Sequence, residues 1–364
     1  MNLKLLTPGP LSTTLTTKQA MLRDWGTRDK DYYKLVQEIR SKLLELANAD
    51  KKDYTVVFLQ GSGTYGVESV LNSCLSTEDK ILILSNGAYG QRMAAICRKS
   101  GKNHDIKEFS MIEALAEEKI EPLIQKNEYT HIAVVHCETT AGVLNDIEMI
   151  SRLTKKHKKK LIVDAMSSFG GIPIDLYRLQ IDFLITSANK CLHGTPGVSI
   201  IFGKKDTLDS CKDNSYSLSL DLYDQYKAME EEGSFRFTSP THVMAALNSA
   251  IDELIASGGI ETRYKDYKKK QKAIAGAMKK LGFEILVAPK DQAPIITTFL
   301  CPSRFDFNDF YNYMKNRGFL LYSGKLPTYD AFRIGNIGDI SMEDIEALIS
   351  AAQSYMTGGQ KNGC

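Results

Sequence analysis

Short apolar runs alternate with segments whose apolar residues recur at helical spacing through roughly the first two thirds of the chain. The run TVVFLQ (55–60) precedes Thr64–Leu75, where Val67, Val70, Leu71 and Cys74 fall on one face of a helix. ILIL (81–84) precedes a helix near 91–99, HIAVVH (131–136) precedes one over Ile147–His157, and LIVDA (161–165) runs into a Gly-Gly-x-Pro turn. FLIT (183–186) and VSIIF (198–202) complete the series. Runs that are apolar on both faces suit buried strands, so the alternation predicts an α/β fold with a mostly parallel sheet covered by helices. Ligands on such sheets bind beyond the carboxyl ends of the strands. The residues just past each run are therefore where chemistry is expected.

After about residue 257 the pattern changes. A lysine-rich helix, RYKDYKKKQKAIAGAMKKLG, leads to shorter strands (FEILV, PIITTFL, AFRIG) and to helices over 306–317 and 341–356. This predicts a large domain over 16–257 and a smaller C-terminal α/β domain over 258–364, divided at the glycine pair 258–259, with 1–15 as an N-terminal segment near the active site. KKHKKK (155–160) ends an amphipathic helix, where cations suit the dipole, and reads as a solvated helix end. The final TGGQKNGC is polar and expected to fray.

Composition narrows the class. The 364 residues are 43% hydrophobic and 25% charged, with a net charge of +2, so neither a nucleic-acid partner nor an acidic tail is expected. No apolar stretch approaches membrane-helix length, and MNLKLLTPGP does not resemble a secretory leader. The seven cysteines include no Cys-x-x-Cys pair, and the histidines lack ligand spacing. Reduced thiols, a cytoplasmic location and no metal site are expected.

QGSGTYG (60–66) forms a G-x-G-x-x-G between a strand and a helix, which invites a dinucleotide reading. That reading needs an acid at the end of the next strand, but ILIL ends in Ser85-Asn86-Gly87. What remains is a helix N-terminus with Ser62, Gly63 and Thr64, suited to one phosphate, with a mere tight turn capped by Thr64 as the lesser alternative. Asp164 ends an apolar strand, where a carboxylate is costly unless paired; it caps a turn or pairs with a protonated ring nitrogen. Lys190 follows the FLIT run directly and lies 26 residues, about one crossover unit, after Asp164, and a lysine removed from water becomes a usable amine nucleophile. Amine, carboxylate and phosphate turn together are the three anchors that pyridoxal 5′-phosphate requires.

The motifs DAMSSFGG, SANKC, SNGAYGQR, HCETTAGVLN, RFTSPTH and FRIGNIG resemble those of the class V, fold-type I pyridoxal-phosphate aminotransferases, in the same order along nearly the whole chain. The resemblance implies that Lys190 is the Schiff-base lysine, Asp164 the partner of the pyridine nitrogen, and Ser62, Gly63 and Thr64 the phosphate turn. It further implies that Tyr89 stacks on the ring, although a packed strand-end tyrosine is an equal reading. Thr140 would bond the ring oxygen or simply cap a turn. Thr238 would be a phosphate ligand donated by the neighbouring subunit of a homodimer. Arg333 would clamp the substrate's acidic group, unless an internal salt bridge takes it. Asn189 stands where other class V enzymes carry glutamine or histidine, and DWGTRDKD (24–31) matches no function. The implied reaction moves the amino group of 2-aminoethylphosphonate to pyruvate, with alanine:glyoxylate or serine:pyruvate amino transfer as the alternatives. A dinucleotide oxidoreductase, a cysteine desulfurase and a non-catalytic scaffold are disfavoured.

Overall fold

The computed structural model describes residues 3–323, 326 and 328–358; most of the polar tail expected to fray lies outside the described residues. Seven strands build its central sheet: β1 (Tyr54–Gln60), β2 (Ile81–Ser85), β3 (His104–Glu108), β4 (His131–Val135), β5 (Lys160–Asp164), β6 (Phe183–Ser187) and β7 (Val198–Lys204). They lie in the order β1-β7-β6-β5-β4-β2-β3. All neighbours run parallel except β7, which is antiparallel to both β1 and β6. Helices α1 (Gly63–Cys74) and α2 (Ala88–Lys99) follow β1 and β2 and carry residues of the site.

The six expected strands are present, each within two residues of its predicted bounds. β3 was not foreseen, because HDIKE is charged and half-exposed at the sheet edge and gives no apolar signal. Phe58, Ile83, Val134, Ile162, Ile185 and Ile200 are fully buried in the core around this sheet. Each such side chain contributes about 1.5–3 kcal/mol, which fixes the strand tips from which the site is built.

A second core gathers Phe283, Phe299, Phe310 and Phe332 in the C-terminal part, together with Leu6 from the N-terminal segment. Lys4–Leu5 pairs in parallel with Phe319–Leu320, so the first residues belong to this second core. The chain passes from one core to the other through the 258–259 glycine pair and the long helix Gly259–Lys280. Among the described residues no helix is long and apolar enough to cross a membrane.

Candidate active site

Asp164 is the last residue of β5, and its parallel register with Val135 of β4 carries it to the carboxyl edge of the sheet. Its carboxylate accepts from the Met166 N–H at 2.9 Å and is 5% exposed. Burial pushes its pKa up to about 6, against the opposing pull of that N–H and of the Arg92 and Lys190 charges.

Lys190 lies just past the end of β6. Its Nζ donates to the carbonyls of Pro8 at 2.9 Å and Gly9 at 3.2 Å. Burial lowers its pKa, and the nearby Arg92 adds to that effect while Asp164 and two cysteines oppose it. Gly9 has a φ of +106°, and a Cβ there would sit 2.5 Å from Lys190 Cδ and 2.7 Å from the Asn189 carbonyl. Only glycine lets the N-terminal segment lie across the lysine.

Ser62 is the N-cap of α1 but makes no side-chain capping bond, so its hydroxyl is not spent on the helix. A Cβ on Gly63 would collide with Met166. Ser62, Gly63 and Thr64 line one side of a cavity of about 220 Å³, and Asp164 and Lys190 line the same cavity. Tyr89 and Arg92 of α2 and Asn189 also line it, with Val135 and Cys137 as apolar wall. Carboxylate, amine and helix N-terminus thus come from three strand tips to one space, which answers why a lysine follows FLIT.

The other expected residues are distributed around this space. The Thr140 hydroxyl donates to Glu138 and accepts from Ala88 N–H at 3.4 Å; it is not among the residues that line the cavity. Arg333 Nη1 donates to the carbonyls of Thr139 at 2.7 Å and Thr140 at 3.3 Å, and its guanidinium lies 4.6 Å from the Tyr322 ring centre. Strand alternation points Phe332 into the second core and Arg333 the other way. Thr238 is not brought to the cavity by its own chain. It lines a separate groove of about 530 Å³ with Tyr65 and Phe237, two side chains that are half exposed.

Two residues escaped sequence reasoning. Glu138 is fully buried, accepts from Tyr89 N–H at 3.2 Å and Thr140 N–H at 3.1 Å, and has a pKa pushed up to about 6 by burial. It ties the start of α2 to the turn after β4. Arg92 was inside a quoted motif, and its position three residues after Tyr89 on a helix was the available signal.

These groups suit pyridoxal 5′-phosphate. The helix N-terminus offers unspent donors for a phosphate, a buried carboxylate waits for a cation, and the amine is partly desolvated. Ser187 Oγ is buried, lines the cavity and has no hydrogen-bond partner among the described residues, so a polar ligand atom there would satisfy it.

Comparison with known proteins agrees with this reading. The family model for aminotransferase class-V matches residues 13–338. The chain is 49% identical to a 2-aminoethylphosphonate–pyruvate transaminase of Phocaeicola vulgatus, over 96% of this chain and 98% of that one. It is 47% identical to the enzyme of the same name from Lysinibacillus sphaericus, over 98% of each. Among solved structures, a ureidoglycine–glyoxylate aminotransferase of Bacillus subtilis superposes with a TM-score of 0.91 over 100% of this chain and 95% of that one, at 21% identity, a likeness of fold. The chain belongs to the class V aminotransferases, pyridoxal-phosphate-dependent transferases of fold type I.

Proposed function

We propose that this protein transfers the amino group of 2-aminoethylphosphonate to pyruvate, giving phosphonoacetaldehyde and L-alanine. The observation that carries the reading is 47–49% identity, over nearly the full length of both chains, to transaminases named for that reaction. The shared cavity of Asp164, Lys190 and the α1 N-terminus supports the chemistry.

When bound, pyridoxal 5′-phosphate supplies an aldehyde that takes up the amino group and a ring that accepts an electron pair. The protein's residues do the rest. Lys190, its pKa lowered by burial, removes a proton from the carbon bearing nitrogen and delivers one on the far side of that nitrogen. Asp164 holds the ring nitrogen's proton and thereby sustains the ring's demand for electrons. Tyr89 lies against the ring, and Glu138, which accepts from the Tyr89 N–H and the Thr140 hydroxyl, anchors both residues beside the cavity. Arg333 grips the phosphonate and then the pyruvate carboxylate, since a guanidinium fork matches either anion. One cation serving two acids lets one site run both half-reactions.

Thr238 completes the phosphate site from a second copy of the chain, which makes the working form a homodimer; its free cysteines suit the cytoplasm. The 16–257 part carries the cofactor groups, the 258–364 part carries Arg333, and residues 1–15 cover Lys190.

The test compares alanine formation from pyruvate, with 2-aminoethylphosphonate or serine as donor, against pyruvate formation from alanine and glyoxylate. Turnover with 2-aminoethylphosphonate at least tenfold above the others is expected. Turnover confined to serine or to alanine plus glyoxylate rejects the substrate while leaving the family intact.

A further inference from the structure

Arg92 has no role in the account so far. It stands on α2, one turn after Tyr89, and its guanidinium lies 5.0 Å from the Tyr89 ring centre. Its Nη1 donates to Thr64 Oγ1 at 3.1 Å, the hydroxyl at the second position of α1. Among the described residues it makes no ion pair. Among the described residues Lys190 and Arg92 are the only formal cations on the cavity wall, and the Lys190 amine is turned to the Pro8 and Gly9 carbonyls.

Charge balance shows what is missing from the cradle. A phosphate ester carries about −1.5 to −2 at neutral pH, and a helix N-terminus offsets roughly 0.5 of that. Ser62, Thr64, Ser187 and Asn189 add dipoles but no charge. About one unit or more stays uncompensated beside the buried Asp164, where an excess of negative charge is costly.

We propose that Arg92 is a ligand of the cofactor's phosphate and supplies that charge, a reading that rests on pyridoxal 5′-phosphate occupying this cavity. Its bond to Thr64 holds the guanidinium at the mouth of α1 before the ligand arrives, and the Tyr89 ring shields one face of its plane. Arg92 therefore couples the phosphate cradle to the aromatic that meets the ring. It differs from Arg333, which hangs from the second core and serves the substrate's acid.

The test uses full-length protein stripped of cofactor and titrated with pyridoxal 5′-phosphate and, separately, with pyridoxal, which lacks the phosphate. The readout is the visible band and its loss on borohydride. In Arg92→Ala the phosphorylated form is expected to bind on the order of 10- to 100-fold more weakly, the range for one charge-assisted bond, while pyridoxal binding stays unchanged. Arg92→Lys falls between. Inorganic phosphate added with pyridoxal promotes binding in the wild type and does so much less in Arg92→Ala. Equal weakening of both ligands overturns the proposal, because Arg92 then only supports Tyr89. Unchanged binding of both, with a raised KM for 2-aminoethylphosphonate, also overturns it and moves the cation to the substrate. A wild-type protein that takes up neither ligand removes the proposed function itself, an outcome separable from the other two.

Discussion

Asp164 is the residue at which folding and function pull in opposite directions. Its carboxyl is raised from 3.8 to about 6 by burial, so the folded chain keeps this proton to a higher pH than the unfolded chain does. The sign follows: this residue's contribution to stability is fullest below its unfolded pKa and is lost as pH rises through about 6. At neutral pH the cofactor-free protein holds an unpaired buried anion, at a cost of about 2–3 kcal/mol. Asp164→Asn should therefore raise the melting temperature of cofactor-free protein by a few degrees at pH 8 and by about half as much at pH 5. The same variant should bind cofactor weakly and turn over slowly. Thermal unfolding at the two pH values checks this, and a variant less stable at pH 8 contradicts it. That Asp164 and Lys190 would meet at one cavity was legible because both stand just past the carboxyl ends of apolar runs, where such sheets place their ligands. Glu138 and Arg92 were hidden by context: an acid in a Glu-Thr-Thr turn and an arginine on a polar helix face look solvated until the fold buries or aims them.

Elements decide how accurately these groups meet. The N-terminal segment crosses Lys190, and Gly9→Ala would drive a methyl into Lys190 Cδ and the Asn189 carbonyl. That variant is expected to lower kcat at least tenfold with a smaller change in KM, since displacing the amine by a fraction of an ångström harms proton transfer more than binding. Steady-state kinetics with 2-aminoethylphosphonate read the split; a change in KM alone contradicts it. The strand Ala331–Gly335 depends on Phe332, whose ring lies 5.4 Å from Phe283, 5.6 Å from Phe310 and 5.7 Å from Phe299, centre to centre. Phe332→Ala should cost about 3–5 kcal/mol of stability and raise KM for the phosphonate by loosening Arg333. Denaturant unfolding and KM measure both effects. The strand runs were readable from their apolar content, whereas the contact of residues 8–9 with 190 was not. Nothing in a Pro-Gly-Pro turn specifies what it covers 180 positions away.

At the scale of the whole molecule, the division into two cores explains why Asp164 and Lys190 sit at strand tips of the central sheet and Arg333 on another sheet. The long-range arrangement was legible as a class from the alternation of runs and helices, and the edge strand β3 was missed because solvent-facing strands need no apolar pattern. Thr238 is where a single chain leaves off, for it lines a groove beside half-exposed Tyr65 and Phe237. If a second copy brings it to the phosphate, mixing Lys190→Ala with Thr238→Ala subunits should restore activity above that of either parent, because one site per mixed dimer is intact. Activity no higher than the mean of the parents contradicts the shared site.

The measurement closest to the centre of this account is borohydride reduction of the cofactor-loaded wild type, followed by proteolysis and mass analysis of every lysine. Reduction should fix the cofactor's carbon to Lys190 alone, and Lys190→Ala should yield no labelled peptide. A label on any other lysine, or none on the wild type, would mean that the amine facing Asp164 and the α1 N-terminus is not the one that does the chemistry.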